Sequence, residues 1–237
     1  MQDLVDIKRV IGESEIYSIH EQNLKSRAGD YGRDFLGRTL PACLFRSCDY
    51  VQASREHRRV IAGMQPLYDR YDVLLAAGFG PAPRLDAHQT SSFWRRPSVF
   101  IPSNVTGGPA LELPNGFSDG LPLGMQIIGR PFAESTVLRA GQAYQQATEW
   151  HTRRPPLIAG APQPALSPKH SAPLVPALDS ATRDLVQRMV ARAELKLDDY
   201  QMAMVLEAAP YALEMASRVR QPRQLMDEPA LALRLPG

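Results

Sequence analysis

Covalent chemistry in this chain would have to come from serine, lysine and histidine, and the spacing of these residues gives little support for it. The four lysines are Lys8, Lys25, Lys169 and Lys196, and none lies near a run of glycine and serine. Ser91-Ser92 is the one adjacent serine pair, and it follows Gln89-Thr90 with no glycine beside it. A serine becomes a useful nucleophile only beside a base, and the chain has no Gly-x-Ser-x-Gly turn to expose one. A Ser, His and Asp triad assembled in space stays open, because such triads are defined by geometry. Cys43 and Cys48 are the only cysteines, and their spacing has no histidine or second cysteine pair to complete a zinc site. Buried free thiols in a reducing cytoplasm are expected of them. His20-Glu21 reads as a hydrogen-bonded or solvated helix face before it reads as a chemical pair.

The elements that must position these residues follow from apolar spacing. Leu4, Ile7, Val10, Ile11, Ile16, Ile19 and Leu24 predict an amphipathic helix over 3–26, with a break possible at Gly12. A second helix is expected from Arg33 to about Leu40, ended or bent by Pro41. A third is expected from a Ser47 cap to about Arg70. Tyr71 to Ala76, Ala110 to Leu113 and Leu123 to Ile128 are short apolar runs of strand length. Trp94 and Phe100 read as apolar anchors. Asn104 and Thr106 are expected in a loop joining a helix to a strand, where side chains bond to backbone. Gly107 and Gly108 answer to tight backbone geometry. Glu134 to Trp150 makes a further helix. Seven prolines from Pro155 to Pro176 predict an extended linker over 153–178. Two more helices follow, capped by Asp179 or Ser180 and by Asp198, with Pro210 kinking or splitting the second.

Composition narrows the classes. The chain has 237 residues, 44% hydrophobic and 22% charged, which suits a globular protein. A net charge of +2 with scattered basic residues leaves no footprint for nucleic acid. No apolar run is long enough to cross a bilayer, so no membrane association is expected.

Three blocks in order carry a resemblance: Tyr71-Asp72-Val73-Leu74-Leu75, Asn104-Val105-Thr106-Gly107-Gly108-Pro109-Ala110, and Gly116 to Phe132 with Gly124, Gln126 and Gly129. Together they resemble the C-terminal half of the amidase signature family, whose members hydrolyse or transfer carboxamide groups. The resemblance covers about residues 1 to 155. It implies an α/β fold: the C-terminal part of an α/β/α sandwich, a mixed sheet covered by helices, plus a helical C-terminal extension. The expected domains are 1–152, the linker 153–178 and a helical tail 179–237.

The resemblance also says what chemistry to look for. Family members use a serine whose proton passes through a second serine, in a cis peptide, to a buried lysine, with a Gly/Ser-rich loop holding the oxyanion. These belong to the family's N-terminal half, and no such set is legible here. The chain is therefore expected to be a fragment that is inactive alone, either shortened or paired with another chain. No catalytic residue, cofactor or metal is assigned. Arg38 falls near an arginine that binds the substrate carboxylate in transamidating relatives, with a solvated helix-end charge as the alternative. Asn104 and Thr106 are the other substrate-side candidates, against a structural role. Gly107, Gly108, Pro109, Gly124, Gln126 and Gly129 are structural. Pro97 stands where those relatives carry an acidic residue, which argues against glutamine-like substrates. Ala76 to Gly80 replaces their Pro-Thr pair. The expected partners are a small-molecule amide and, further, an amidase chain or a second copy. The tail, ending in Asp227-Glu228-Pro229-Ala230, looks like the small helical subunit that wraps amidase-family subunits, or else is a plain extension. In the first case the chain would be a non-catalytic assembly subunit.

Overall fold

The computed structural model describes residues 2–78, 80–81, 91–95, 101–155, 158–162, 172–220 and 222. Phe79, Pro97, Phe100, Lys169 and the Asp227 to Ala230 segment lie outside the described residues. The chain divides into two units, one drawn from residues 1–62, 89–97 and 171–237, the other from 63–88 and 98–170.

The first unit is helical. Helix α1 spans Gln2–Arg27 and runs unbroken through Gly12. The cost of a mid-helix glycine, about 1 kcal/mol, is met by packing of Leu4, Val5, Ile7 and Val10, all buried. The apolar stripe expected to continue does not: Ile19 is 76% exposed, and burial resumes only at Leu24. A 3-10 turn, Ala28–Asp30, leads to α2, Arg33–Thr39. Pro41 bends the chain as expected, by starting a second 3-10 turn over Leu40–Leu44.

Helix α3 covers Ser47–Arg70 and passes through Pro66 without ending. Its N-terminus is held by Asp49 and not by the expected Ser47: the Asp49 carboxylate accepts from the Arg46 N–H at 2.9 Å. This is the reach-back half of a capping box, which an acidic third residue makes and a serine at the first helical position cannot. Helix α4 is the single turn Ser92–Arg95. Trp94 is 1% exposed, and its indole N–H donates to the Gly37 carbonyl at 2.9 Å.

Two tail helices complete this unit. Asp179 accepts from the Thr182 N–H at 2.6 Å in front of helix Ser180–Arg192. Asp198 and Gln201 form a reciprocal capping box, at 2.7 and 3.0 Å, in front of helix Asp199–Val219. The latter stays one helix through Pro210. Its buried residues Met204, Val205, Ala208, Ala212, Met215 and Val219 recur every three or four positions. That stripe packs on α1, α2 and the 40–44 turn, and there the core of the unit lies.

Among the described residues, the second unit holds a three-stranded antiparallel sheet in the order β1-β3-β2. Strand β1 is Leu74–Ala77, β2 is Ala110–Ser118 and β3 is Leu121–Ile128. The last two are longer than their apolar runs because Asp119-Gly120 joins them as a hairpin, with φ of 51° and 77°. Positive φ at both loop residues matches the right-handed twist of paired strands. Helix α5, Ile101–Thr106, precedes β2, and helix α6, Glu134–Ala147, follows β3. Val137 of α6 packs on Leu113 and Ile127. With the tail helices Ser180–Arg192 and Asp199–Val219 numbered α7 and α8, the fold class is α/β with a helical C-terminal extension.

Candidate functional site

In the helical unit, side chains from α1 and α2 gather around Phe93 of α4. The Arg9 guanidinium of α1 lies 4.9 Å from the ring centroid, Arg38 of α2 5.1 Å and the Lys8 ammonium 5.5 Å. An aromatic face attracts cations through its quadrupole. Arg9 also donates to the Trp94 carbonyl at 3.2 Å, which fixes α4 over α1. Burial lowers Arg9 to about 10 against the pull of Asp6 and Glu13. Burial also lowers Lys8, with Arg9 and Arg38 adding to the effect.

Glu13, one turn beyond Arg9, is 2% exposed, and its Oε2 has no hydrogen-bond partner. Burial pushes its carboxyl up to about 7, despite the opposing fields of Lys8, Arg38 and Arg9. Desolvation of a charge outweighs cations that do not touch it directly. Arg38 pairs with Asp34 at 2.6 Å while remaining 43% exposed. It therefore has both the local partner of a helix-end charge and a place in the cationic cluster. Three positive groups over one ring, beside a carboxyl that burial raises, make a setting suited to a small anion. Glu13 was not legible as part of it, since a carboxylate on a helix predicts solvent.

In the sheet unit, Asn104 and Thr106 belong to the last turn of α5 and not to a loop. Thr106 donates to the Pro102 carbonyl at 2.8 Å and lies 3.0 Å from the Tyr68 hydroxyl, while Asn104 is exposed. Gly107 ends the helix at φ 72°, with its N–H on the Ser103 carbonyl at 2.9 Å. A Cβ on Gly108 would collide with the Gly129 carbonyl. Next to it, the Gly129 N–H donates to the Pro109 carbonyl at 2.9 Å. Gln126 stands opposite Glu112 across the strands, and the Glu112 side chain lies over Gly124. Burial raises the Glu112 carboxyl. Arg38 is in one unit, and Asn104, Thr106 and the glycines are in the other.

No serine of the described residues is hydrogen-bonded to Lys8, Lys25 or Lys196. Ser91 has a buried hydroxyl without a partner. His20 accepts or donates to the Tyr31 hydroxyl at 3.1 Å and stacks edge-on against Tyr31 and Phe35, so its role is packing. Cys43 is buried, its thiol pushed up to about 12 by desolvation, but Cys48 is exposed, contrary to the expectation for it. It sits in the first turn of α3. Among the described residues no group of three or more His, Cys, Asp and Glu could hold a metal ion, and no helix is long and apolar enough to cross a membrane.

Comparison with known proteins matches residues 15–138 to the family described as Amidase. The A subunit of glutamyl-tRNA(Gln) amidotransferase from Chloroflexus aggregans is 65% identical over 57 residues, 24% of this chain and 12% of that protein. Its counterpart of the same name from Moorella thermoacetica is 37% identical over 148 residues, 59% of this chain and 30% of that protein. A solved structure reported with a vestigial protein complex and the evolutionary origins of an s-triazine catabolic enzyme superposes with a TM-score of 0.54. The identity there is 25%, over 61% of this chain and 34% of that one. The chain thus spans between 12% and 34% of the length of these relatives.

Proposed function

This chain belongs to the Amidase family, and on that premise we propose that it supplies the acyl-side part of an amide-cleaving enzyme whose nucleophile lies outside these 237 residues. Its substrate side is the Phe93 cluster. Arg38, reinforced by Arg9 and Lys8, receives a carboxylate on a small linear amide. Asn104 and Thr106, in the sheet unit, are proposed separately as substrate contacts of the complete enzyme. The observation that carries this reading is the gathering of Arg9, Arg38 and Lys8 within 5.5 Å of one ring around the buried Glu13. Amide cleavage itself needs an activated serine and oxyanion donors, for which this sequence offers no pattern. We further propose a cytoplasmic location, in keeping with free thiols at Cys43 and Cys48. A partner amidase chain or a second copy is the proposed source of the missing machinery.

The tail is better read as an internal element than as an arm for another chain. The apolar stripe of α8 is already used on α1 and α2 of the same chain. A helix whose apolar face is buried has no comparable face left to dock elsewhere.

The test uses the purified chain with succinamate, a linear amide bearing a carboxylate, and with butyramide, which lacks one. Succinamate should bind with no ammonia released, and Arg38→Gln should weaken binding by about tenfold. Ammonia release abolished by substituting one of the chain's own serines would overturn the inactive-alone reading. Equal binding of both amides would overturn the role of Arg38.

A further inference from the structure

Glu13 lies behind the cationic cluster, four positions after Arg9 on α1, and so on the same side of that helix. It is buried, and its Oε2 has no hydrogen-bond partner. A carboxyl that is neither hydrated nor paired disfavours its own ionised form. The cluster in front of it divides by reach. Arg9 is 4% exposed and committed to the Trp94 carbonyl, whereas Lys8 is half-buried and the Arg38 side chain is 43% exposed. A ligand carboxylate therefore meets Arg38 and Lys8, while Arg9 and Glu13 act on it only through their fields.

The charges that face Glu13 are Lys8 and Arg9 on its own helix and Arg38 on α2, the last tempered by its partner Asp34. Helix α8 and the 40–44 turn also pack on α1. Arg218 of α8 is held by Asp6 and Glu214, and Cys43 of the turn is kept protonated by burial. From α4 come the Phe93 ring and the Trp94 carbonyl, which carry no net charge.

Resting on the carboxylate reading of the Phe93 cluster given above, we propose that Glu13 sets the charge of that subsite: it takes up its anion together with one proton, which Glu13 holds without touching the ligand. With Glu13 neutral, three cations act on the ligand carboxylate. With Glu13 ionised, a buried negative charge cancels part of that field and repels the ligand. The coupling is reciprocal, so a bound anion makes Glu13 harder to ionise and binding draws a proton from the buffer. Burial pushes the Glu13 carboxyl up to about 7 in the free protein, which places the exchange between pH 6 and pH 8.5. A carboxylate-bearing amide is thus held more tightly in mild acid.

The experiment is calorimetry of the full chain with succinamate at pH 6 and pH 8.5, and at pH 7.5 in two buffers of different ionisation enthalpy. Binding should be weaker by about fivefold at pH 8.5, and protons should be taken up at pH 7.5. Glu13→Gln should bind with one affinity at both pH values and take up no proton. A slope arising from Lys8, whose ammonium burial also lowers, would survive that substitution. In the ligand-free protein, Arg38→Gln removes a positive field and should move the Glu13 carboxyl titration, followed by carbon-13 NMR, to higher pH. No succinamate binding at pH 6 would overturn the carboxylate reading of the cluster, and this inference with it. Level affinity across pH, a fall that persists in Glu13→Gln, binding without proton uptake, or a Glu13 titration unmoved by Arg38→Gln would overturn the role of Glu13 and leave that reading standing.

Discussion

Arg218, in the last turn of α8, donates two hydrogen bonds to the carboxylate of Asp6 on α1, at 2.6 and 2.9 Å, across 212 positions of sequence. Asp6 is 1% exposed, so the pair closes over a carboxylate that water cannot reach. A second clasp of the same kind joins Arg220 to Asp49 of α3 at 2.6 and 3.1 Å. The tail is thus fastened to the body at two buried carboxylates.

Removing one partner of a buried pair strands the other charge, at a cost of about 3–5 kcal/mol. Arg218 is 31% exposed and partly screened, so Arg218→Gln should lower stability by about 2–3 kcal/mol in urea titration. The double variant Asp6→Asn with Arg218→Gln should recover part of that loss, because the buried Asp6 carboxylate is no longer left charged without its partner. Additive losses would show that the two side chains do not act as a pair.

Glu13 gives a pH dependence of definite sign. Its carboxyl is raised from 4.5 to about 7 in the folded protein, so the folded state holds more protons than the unfolded one between those values. Stability is full below the unfolded value and is lost as pH rises to the folded one, by about 3 kcal/mol. Glu13→Gln, neutral at every pH, should remove this slope and unfold at higher urea than the parent at pH 8. A parent whose stability rises steadily from pH 5 to pH 8 would contradict the burial of Glu13.

Asp49 works in the opposite direction. Burial raises its carboxyl, but the hydrogen bonds from Arg220 and the Arg46 N–H outweigh that and hold it below the usual carboxylate range. Such a group adds stability above its unfolded value and loses it as pH falls through the folded one. Arg220→Gln should therefore unfold at a higher pH than the parent in acid titration followed by circular dichroism. An unchanged acid midpoint would mean that the second clasp is not made in solution.

The Gly107-Gly108 pair separates two backbone demands. Gly107→Ala meets only its φ of 72°, at a cost of about 1–2 kcal/mol. Gly108→Ala must also push apart the Gly129 carbonyl, which is backbone and cannot swing away, so it should cost more, about 3 kcal/mol. The two melting temperatures, compared directly, check the order.

Much of the secondary structure was legible in the residues. The expected helix over 3–26 appears as Gln2–Arg27, and Asp179 and Asp198 cap their helices through their own side chains. Trp94 is an anchor, as its size and surroundings predict. Helix α5 was not legible: Pro102 within six residues and two glycines after Thr106 read as loop, and only packing in the sheet unit holds the turn helical. The Asp119-Gly120 hairpin was present as a turn signal that the short apolar runs on either side obscured. The burial of Asp6, Arg9 and Glu13 left no trace in the pattern, since polar residues on a helix ordinarily mark its wet side.

Helix periods, capping residues and turn glycines act within a few positions, so the amino-acid order alone set α1, α3, α6, the tail helices and the likeness to amidases. Which polar groups lose their water depends on elements more than 100 residues apart in the chain, such as Arg218 closing on Asp6. Only the folded packing decided that burial raises the Glu13 carboxyl, that Arg38 joins Arg9 and Lys8 around Phe93, and that the Tyr17 hydroxyl is buried with nothing to bond.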